Sequence, residues 1–157
     1  MLRTQGPVNR RRLGWIAVGL VTILLAAAPA QAQQAQRLFN ADAGLWLHFV
    51  KPESTADFDE VVAKLKEALQ KSEKPERKQQ AASWKIFKQT PAPASGNVLY
   101  VFFLDPAVKD VDYTISTILS ESLPPAEVAD LFKKYADAYG SPAMNVVDLS
   151  LIQDLSQ

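Results

Sequence analysis

The sequence predicts an α+β protein built on one four-stranded antiparallel sheet with helices on a single face. Three observations predict it. Two short apolar runs, Leu45 to Val50 and Val98 to Leu104, have strand length and strand composition. Two longer segments carry apolar residues at helical spacing, around Phe58 to Leu69 and Val128 to Tyr139. Their order along the chain is strand–helix–strand, repeated once.

Each element has local justification. Gly44-Leu45-Trp46-Leu47-His48-Phe49-Val50 is closed by Lys51-Pro52, and its brevity and proline terminator favour a strand. Ser54 or Thr55 offers a cap for the next segment, Asp57–Lys71, and Asp57, Asp59 and Glu60 put negative charge where the helix dipole favours it. Phe58, Val61, Val62, Leu65 and Leu69 form its buried stripe, each worth about 1.5–3 kcal/mol when covered. Pro75 interrupts the pattern, and Glu76 to Ala82 resumes as a further helical turn or two. Ser83 to Gln89 alternates as a strand with one wetter side, and Pro91 to Asn97 is a loop.

Val98 to Leu104 is seven apolar residues without interruption, so both faces of that strand are covered. Asp110 to Leu123 fits a helix through Ile115, Ile118 and Leu119, and a strand through Tyr113, Ile115, Thr117 and Leu119; the reading adopted is a short helix. Pro124-Pro125 opens the second long helix, Pro125–Tyr139, and Gly140 with Pro142 stops it. Asn145 to Leu155 closes the chain as a strand. This β-α-β-β-α-β order is the split βαβ arrangement of ferredoxin-like folds, with both long helices on one face of the sheet.

The first 32 residues read as an export signal rather than as part of the fold. Arg10-Arg11-Arg12 precede an apolar run from Leu13 to Ala28, and Ala30-Gln31-Ala32 supplies a small-x-small cleavage pattern. The run is short for a membrane span, although an uncleaved anchor is the alternative. The expected organisation is a signal peptide at 1–32, a flexible leader at 33–43 and a single domain at 44–157. The expected location is periplasmic or secreted, with no membrane contact after cleavage.

The full chain balances 17 Lys+Arg against 17 Asp+Glu. Loss of Arg3, Arg10, Arg11 and Arg12 with the signal leaves a mildly acidic body, which lacks the electrostatic footprint of a nucleic-acid binder. The chain has no cysteine and one histidine, so disulfides, thiolate chemistry and a His- or Cys-rich metal site are not expected. No Gly-rich phosphate loop, G-x-S-x-G turn or calcium loop occurs in it. No cofactor is implied.

Two helices on one side of a sheet leave the other side bare. If Leu45, Leu47 and Phe49 face the helices, then Trp46, His48 and Val50 face away, together with Phe87, Tyr100, Phe102, Leu104 and Ile152. So much aromatic surface calls for a cover, and a second copy of the same sheet is the simplest one.

At this point the residues resemble a known family. A first strand ending in Lys51-Pro52, a helix built on Phe58-x-x-Val61-Val62 and the strand Trp84-Lys85-Ile86-Phe87-Lys88 are similar to the dimeric α+β barrel superfamily, and most of all to its antibiotic-biosynthesis-monooxygenase-like domains. The resemblance runs from about Gly44 to Leu155. It implies a homodimer whose two sheets face each other around a pocket, in a superfamily that includes cofactor-independent oxygenases, haem-degrading proteins and members without known activity.

On that arrangement the enclosed face would hold His48, Tyr100 and Asp148 as candidates for proton handling, with His48 as base and Tyr100 as donor. Trp46, Phe87, Phe102 and Ser150 would line the ligand pocket. The plainer alternative is that His48 and Asp148 pair across strands and serve structure alone. Three functions follow. The first is a dimeric module binding a small apolar or aromatic molecule. The second is an oxygenase or isomerase of aromatic or polyketide-like substrates with His48 as general base, and the third is haem binding.

Overall fold

A computed structural model of the chain describes residues 36–156. The proposed signal segment therefore lies outside the described residues, as do residues 33–35 of the leader. Four strands and four helices follow in order: β1 (Ala43–Val50), α1 (Thr55–Lys71), α2 (Pro75–Ser83), β2 (Trp84–Lys88), β3 (Val98–Leu104), α3 (Ile115–Ser120), α4 (Pro125–Asp137) and β4 (Tyr139–Leu149). The strands form one antiparallel sheet in the order β2-β3-β1-β4. This is an α+β architecture, and it is compatible with a ferredoxin-like one. No helix among the described residues is long and apolar enough to cross a membrane.

Proline and charge set most boundaries. Pro75 and Pro125 each stand at the first helical turn, where a missing N–H costs nothing. Asp57 in the first turn and Lys71 in the last complement the dipole of α1. Ser54 occupies the cap position of α1, but its side chain makes no capping hydrogen bond; the Thr55 hydroxyl instead donates to the Pro52 carbonyl at 3.1 Å. The ambiguous 110–123 region holds one short helix, α3, as expected. The last strand begins and ends six residues earlier than the sequence suggests, at Tyr139 and Leu149. Gly140 and Pro142 thus lie inside β4, and Leu151, Ile152 and Leu155 form an exposed tail. A register shift between His48 and Val50 marks a bulge where β1 meets β4.

The sense of the sheet is opposite to the expectation. Trp46, His48 and Val50 on β1, with Val98, Tyr100, Phe102 and Leu104 on β3, are buried beneath the helices. Rings show it directly, since His48 and Tyr100 pack on Phe58 of α1 and His48 also meets Tyr135 of α4. The bare side instead carries Leu45, Leu47 and Phe49, paired with Phe103, Val101 and Leu99. Phe87 is the one large side chain whose bare-side placement stands; it lies opposite Val101 and is 53% exposed. Strand alternation fixes which residues share a face, not which face is covered, and here both sets are apolar.

The leader is also tied down over its described part. Phe39 is fully buried, edge-on to Tyr113 at 5.3 Å between centroids. The Arg37 and Asp42 carbonyls accept hydrogen bonds from the Tyr113 and Ala107 amides, both at 2.8 Å. Gly44 makes room for this ring, because a Cβ at that position would overlap the Phe39 side chain.

A second anchor joins α2 to the segment before and after α3. Buried Arg77 donates from Nε and Nη2 to the two oxygens of Glu121, at 3.1 and 2.8 Å, and from Nη1 to Gln80 Oε1 and the Asp112 carbonyl. Such a bidentate pair holds both position and orientation.

Truncating the Phe39 ring leaves a cavity against Gly44 and Tyr113. Phe39→Ala is expected to lower unfolding free energy by about 3–5 kcal/mol in urea titrations. A loss below about 1 kcal/mol would return residues 36–42 to the status of a loose leader.

Candidate functional site

His48 sits at the centre of the helix-covered side, with no exposed surface. Its ring lies 4.1 Å from Phe102, 4.6 Å from Trp46 and 5.5 Å from Phe58, centroid to centroid, with Tyr139 and Tyr135 at 5.8 and 6.3 Å. β1 supplies Trp46 and His48, β3 supplies Phe102, α1 supplies Phe58, and the end of α4 with the start of β4 supplies the two tyrosines. His48 Nδ1 and Tyr139 Oη share a hydrogen bond of 2.7 Å. His48 Nε2 has no hydrogen-bond partner among the described residues.

The electrostatics follow from that enclosure. Burial pushes the imidazole down to about 3, and the Arg37 charge acts in the same direction. Burial likewise raises the Tyr139 hydroxyl strongly, with Tyr135 adding to the effect. His48 and Tyr139 are therefore a neutral pair near pH 7. If Tyr139 donates to Nδ1, an N–H at Nε2 is left without a conventional acceptor. If Nδ1 donates, a lone pair at Nε2 is left instead. Either tautomer carries one orphaned polar atom, a cost of about 1–3 kcal/mol. Neither a substrate proton nor a haem iron reaches Nε2 without displacing the rings packed on it.

The residues expected to act together are separated. Tyr100 is register partner to His48, but its hydroxyl donates to Asp59 Oδ1 at 2.7 Å, and Lys88 Nζ lies 5.2 Å from its ring centroid. Burial pushes that phenol up to about 12. Asp148 pairs with Gly44, four residues along β4 from the His48 partner Met144, or about 13 Å at strand rise. Its Oδ1 accepts from the Asn40 amide at 3.4 Å. Ser150 lies beyond β4 and is exposed, while Phe87 is on the opposite side of the sheet. Trp46 and Phe102 alone join His48. Among the described residues, no cluster of three or more His, Asp or Glu side chains is placed to hold a metal.

Beside the aromatic box lies a small open pocket of about 160 Å³, with Trp46 and Tyr135 in its wall. Arg37, Met144 and Thr114 complete the part that matters chemically. Burial pushes the Tyr135 hydroxyl up to about 12, the neighbouring Tyr139 and Arg37 working against that rise. No hydrogen bond of ordinary geometry joins the two phenols, and Tyr135 Oη has no partner among the described residues. A larger groove of about 370 Å³ runs between α1, α2 and β2, floored by Leu65, Trp84 and Ile86. The sequence held a signal for the tyrosines, which recur four residues apart in the apolar stripe of the last helix. It held none for Arg37, which falls in a stretch read as leader.

The sequence matches no protein-family model, and no curated protein or solved structure is significantly similar to it. Fold and site together define an α+β protein with an open four-stranded sheet, one side sealed around a neutral histidine and the other apolar and bare.

A buried neutral imidazole makes stability depend on pH with a definite sign. The unfolded chain protonates near 6.5 and the folded one near 3, so between these values the unfolded state binds more protons and stability falls as pH falls. The wild type is expected to lose about 1.5 kcal/mol between pH 6.5 and 5, read as the shift in urea midpoint. His48→Phe is expected to lose far less over the same interval. Parallel profiles for the two proteins would show that His48 is not held neutral.

Proposed function

We propose that the protein is an exported homodimeric binding module of the ferredoxin-like kind, in which two protomers appose their bare sheet faces and hold a small apolar or aromatic molecule between them. One observation carries this reading. Leu45, Leu47, Phe49, Leu99, Val101 and Phe103 form an unbroken apolar surface across the two central strands, extended by Phe87 on β2. Two strands at about 4.8 Å spacing and seven residues at about 3.3 Å rise give a footprint of roughly 220 Å², before Phe87 is added. Contiguous apolar surface of a few hundred Å² on a protein is often a contact surface.

The composition of the two faces favours binding over chemistry. The bare face offers aliphatic and aromatic groups, with Lys85 on β2 and Asn145 on β4 as its polar margin. The imidazole that an oxygenase or isomerase would use as base lies on the other side of the sheet, without exposure. A two-fold pair satisfies the apolar face with no second gene product, and the space left between two twisted sheets suits a flat or aliphatic guest.

Light scattering of the purified protein at micromolar concentration is expected to give twice the protomer mass. Leu47→Asp puts a carboxylate at the middle of the face and is expected to give a monomer with unchanged helical circular dichroism. Native mass spectrometry is expected to show a co-purifying small molecule on the wild type and not on the variant. A wild-type monomer at that concentration would remove the proposal.

A further inference from the structure

Two apolar features lie outside the bare sheet face. The first is the groove of about 370 Å³ between α1, α2 and β2, walled by Leu65, Leu69, Trp84 and Ile86. Lys66 and Gln70 form its polar margin. The second is the segment that follows β4. Leu151, Ile152 and Leu155 are 75, 98 and 86% exposed, the highest values among the large apolar side chains described. They fall within five consecutive positions, whereas exposed apolar residues that need no partner are scattered singly. The one charge of that segment, Asp154, is opposite in sign to Lys66 at the groove.

Sheet register decides whether the two can meet. Trp84, Leu104, Gly44 and Asp148 form one row across the strands, so the segment leaves β4 at the end of the sheet where Trp84 stands in the groove wall. Within one chain the groove and the segment belong to opposite rims, because β2 and β4 are the outer strands. That separation is about 14 Å. The stretches around Arg37 to Asp42 and Ala107 to Tyr113 are hydrogen-bonded to each other at the same end, in the path between. A two-fold axis parallel to the strands removes the distance. It reverses the strand order of the second sheet and keeps its ends matched, so the partner's β4 lies over β2. Apposed sheets are about 10 Å apart, and the six residues 150–155 reach about 20 Å when extended. The partner's segment can therefore round the β2 rim and enter the groove on the helix-covered side.

Area argues the same way. The two central strands offer roughly 220 Å² per protomer before Phe87, against about 800 Å² per partner in a stable complex. The sheet contact needs a second contribution, and we propose that this groove receives the 150–156 segment of a second copy of the chain. Leu151 crosses the β2 rim, Ile152 and Leu155 lie against Leu65, Leu69 and Trp84, and Asp154 meets Lys66. The exchange is reciprocal, so two segments clasp one dimer. The inference rests on the face-to-face pair proposed above and adds the contact that locks it.

The chain has no cysteine, which allows a clean proximity test. The purified protein carrying Gln70→Cys and Ser156→Cys, treated with a short bismaleimide, is expected to give a covalent dimer linked between positions 70 and 156. A crosslinked monomer overturns the proposal, as do a ladder of higher species and an unlinked chain. Sedimentation equilibrium gives a second readout. Leu151→Ser/Ile152→Ser/Leu155→Ser changes exposed positions only and is expected to weaken the dimer at least about tenfold with unchanged circular dichroism. Ala81→Arg fills the groove from an exposed helix position and is expected to weaken it similarly. Combining the two is expected to cost no more than either alone, because both remove one interaction. Losses that add, or a serine variant that pairs as tightly as wild type, overturn the proposal and leave the face-to-face dimer standing. A wild-type monomer removes both.

Discussion

The direction in which β1 faces is the constraint from which the rest follows. Its two alternating sets, Leu45-Leu47-Phe49 and Trp46-His48-Val50, are both apolar enough to be covered. Placing the second set under α1 and α4 drives a histidine into the interior. There it must stay uncharged and take what hydrogen bonding the core can offer, which is the Tyr139 hydroxyl. The same choice leaves the first set, with its partners on β3, as a greasy outer surface. One decision about a strand thus produces both the sealed aromatic interior and the unpartnered face.

The interior is stabilised by rings rather than by aliphatic chains alone. Phe58 meets Tyr100, Phe102, Tyr135, Tyr139 and His48, so α1 is fastened to three strands and α4 through one side chain. Around this core the irregular segments are held by directional contacts. Arg77 and Glu121 hold α2 against the α3 region, and Phe39 seats the stretch before β1 over Gly44. These links position Arg37 and Thr114 at the rim of the small pocket.

Element type and order were legible in the sequence because local signals agreed. β3 emerges at Val98–Leu104 as expected, and prolines mark the starts of α2 and α4. Facing was not legible. A period of two sorts residues into faces, but it contains no sign when Leu, Phe and Trp occupy both. The candidate site inherited that ambiguity, so His48, Tyr100 and Phe102 were expected on the bare side and lie on the covered one. Asp148 was expected near His48 because the central position of β1 was right; the register of β4 places it near Gly44 instead. Arg37 was hidden for another reason. Its placement depends on Phe39 finding a glycine-sized recess in a strand still to come, which no local pattern encodes.

The two borders of the sheet carry a consequence of their own. β2 is only five residues long and bears Lys85 and Lys88, while β4 carries Pro142 in the stretch between Tyr139 and Met144 where extra residues shift its register against β1. Cationic side chains, a residue with no amide hydrogen and a local kink are all poor templates for an incoming strand. Lateral growth into a continuous ribbon is therefore disfavoured at both rims despite the adhesive flat surface.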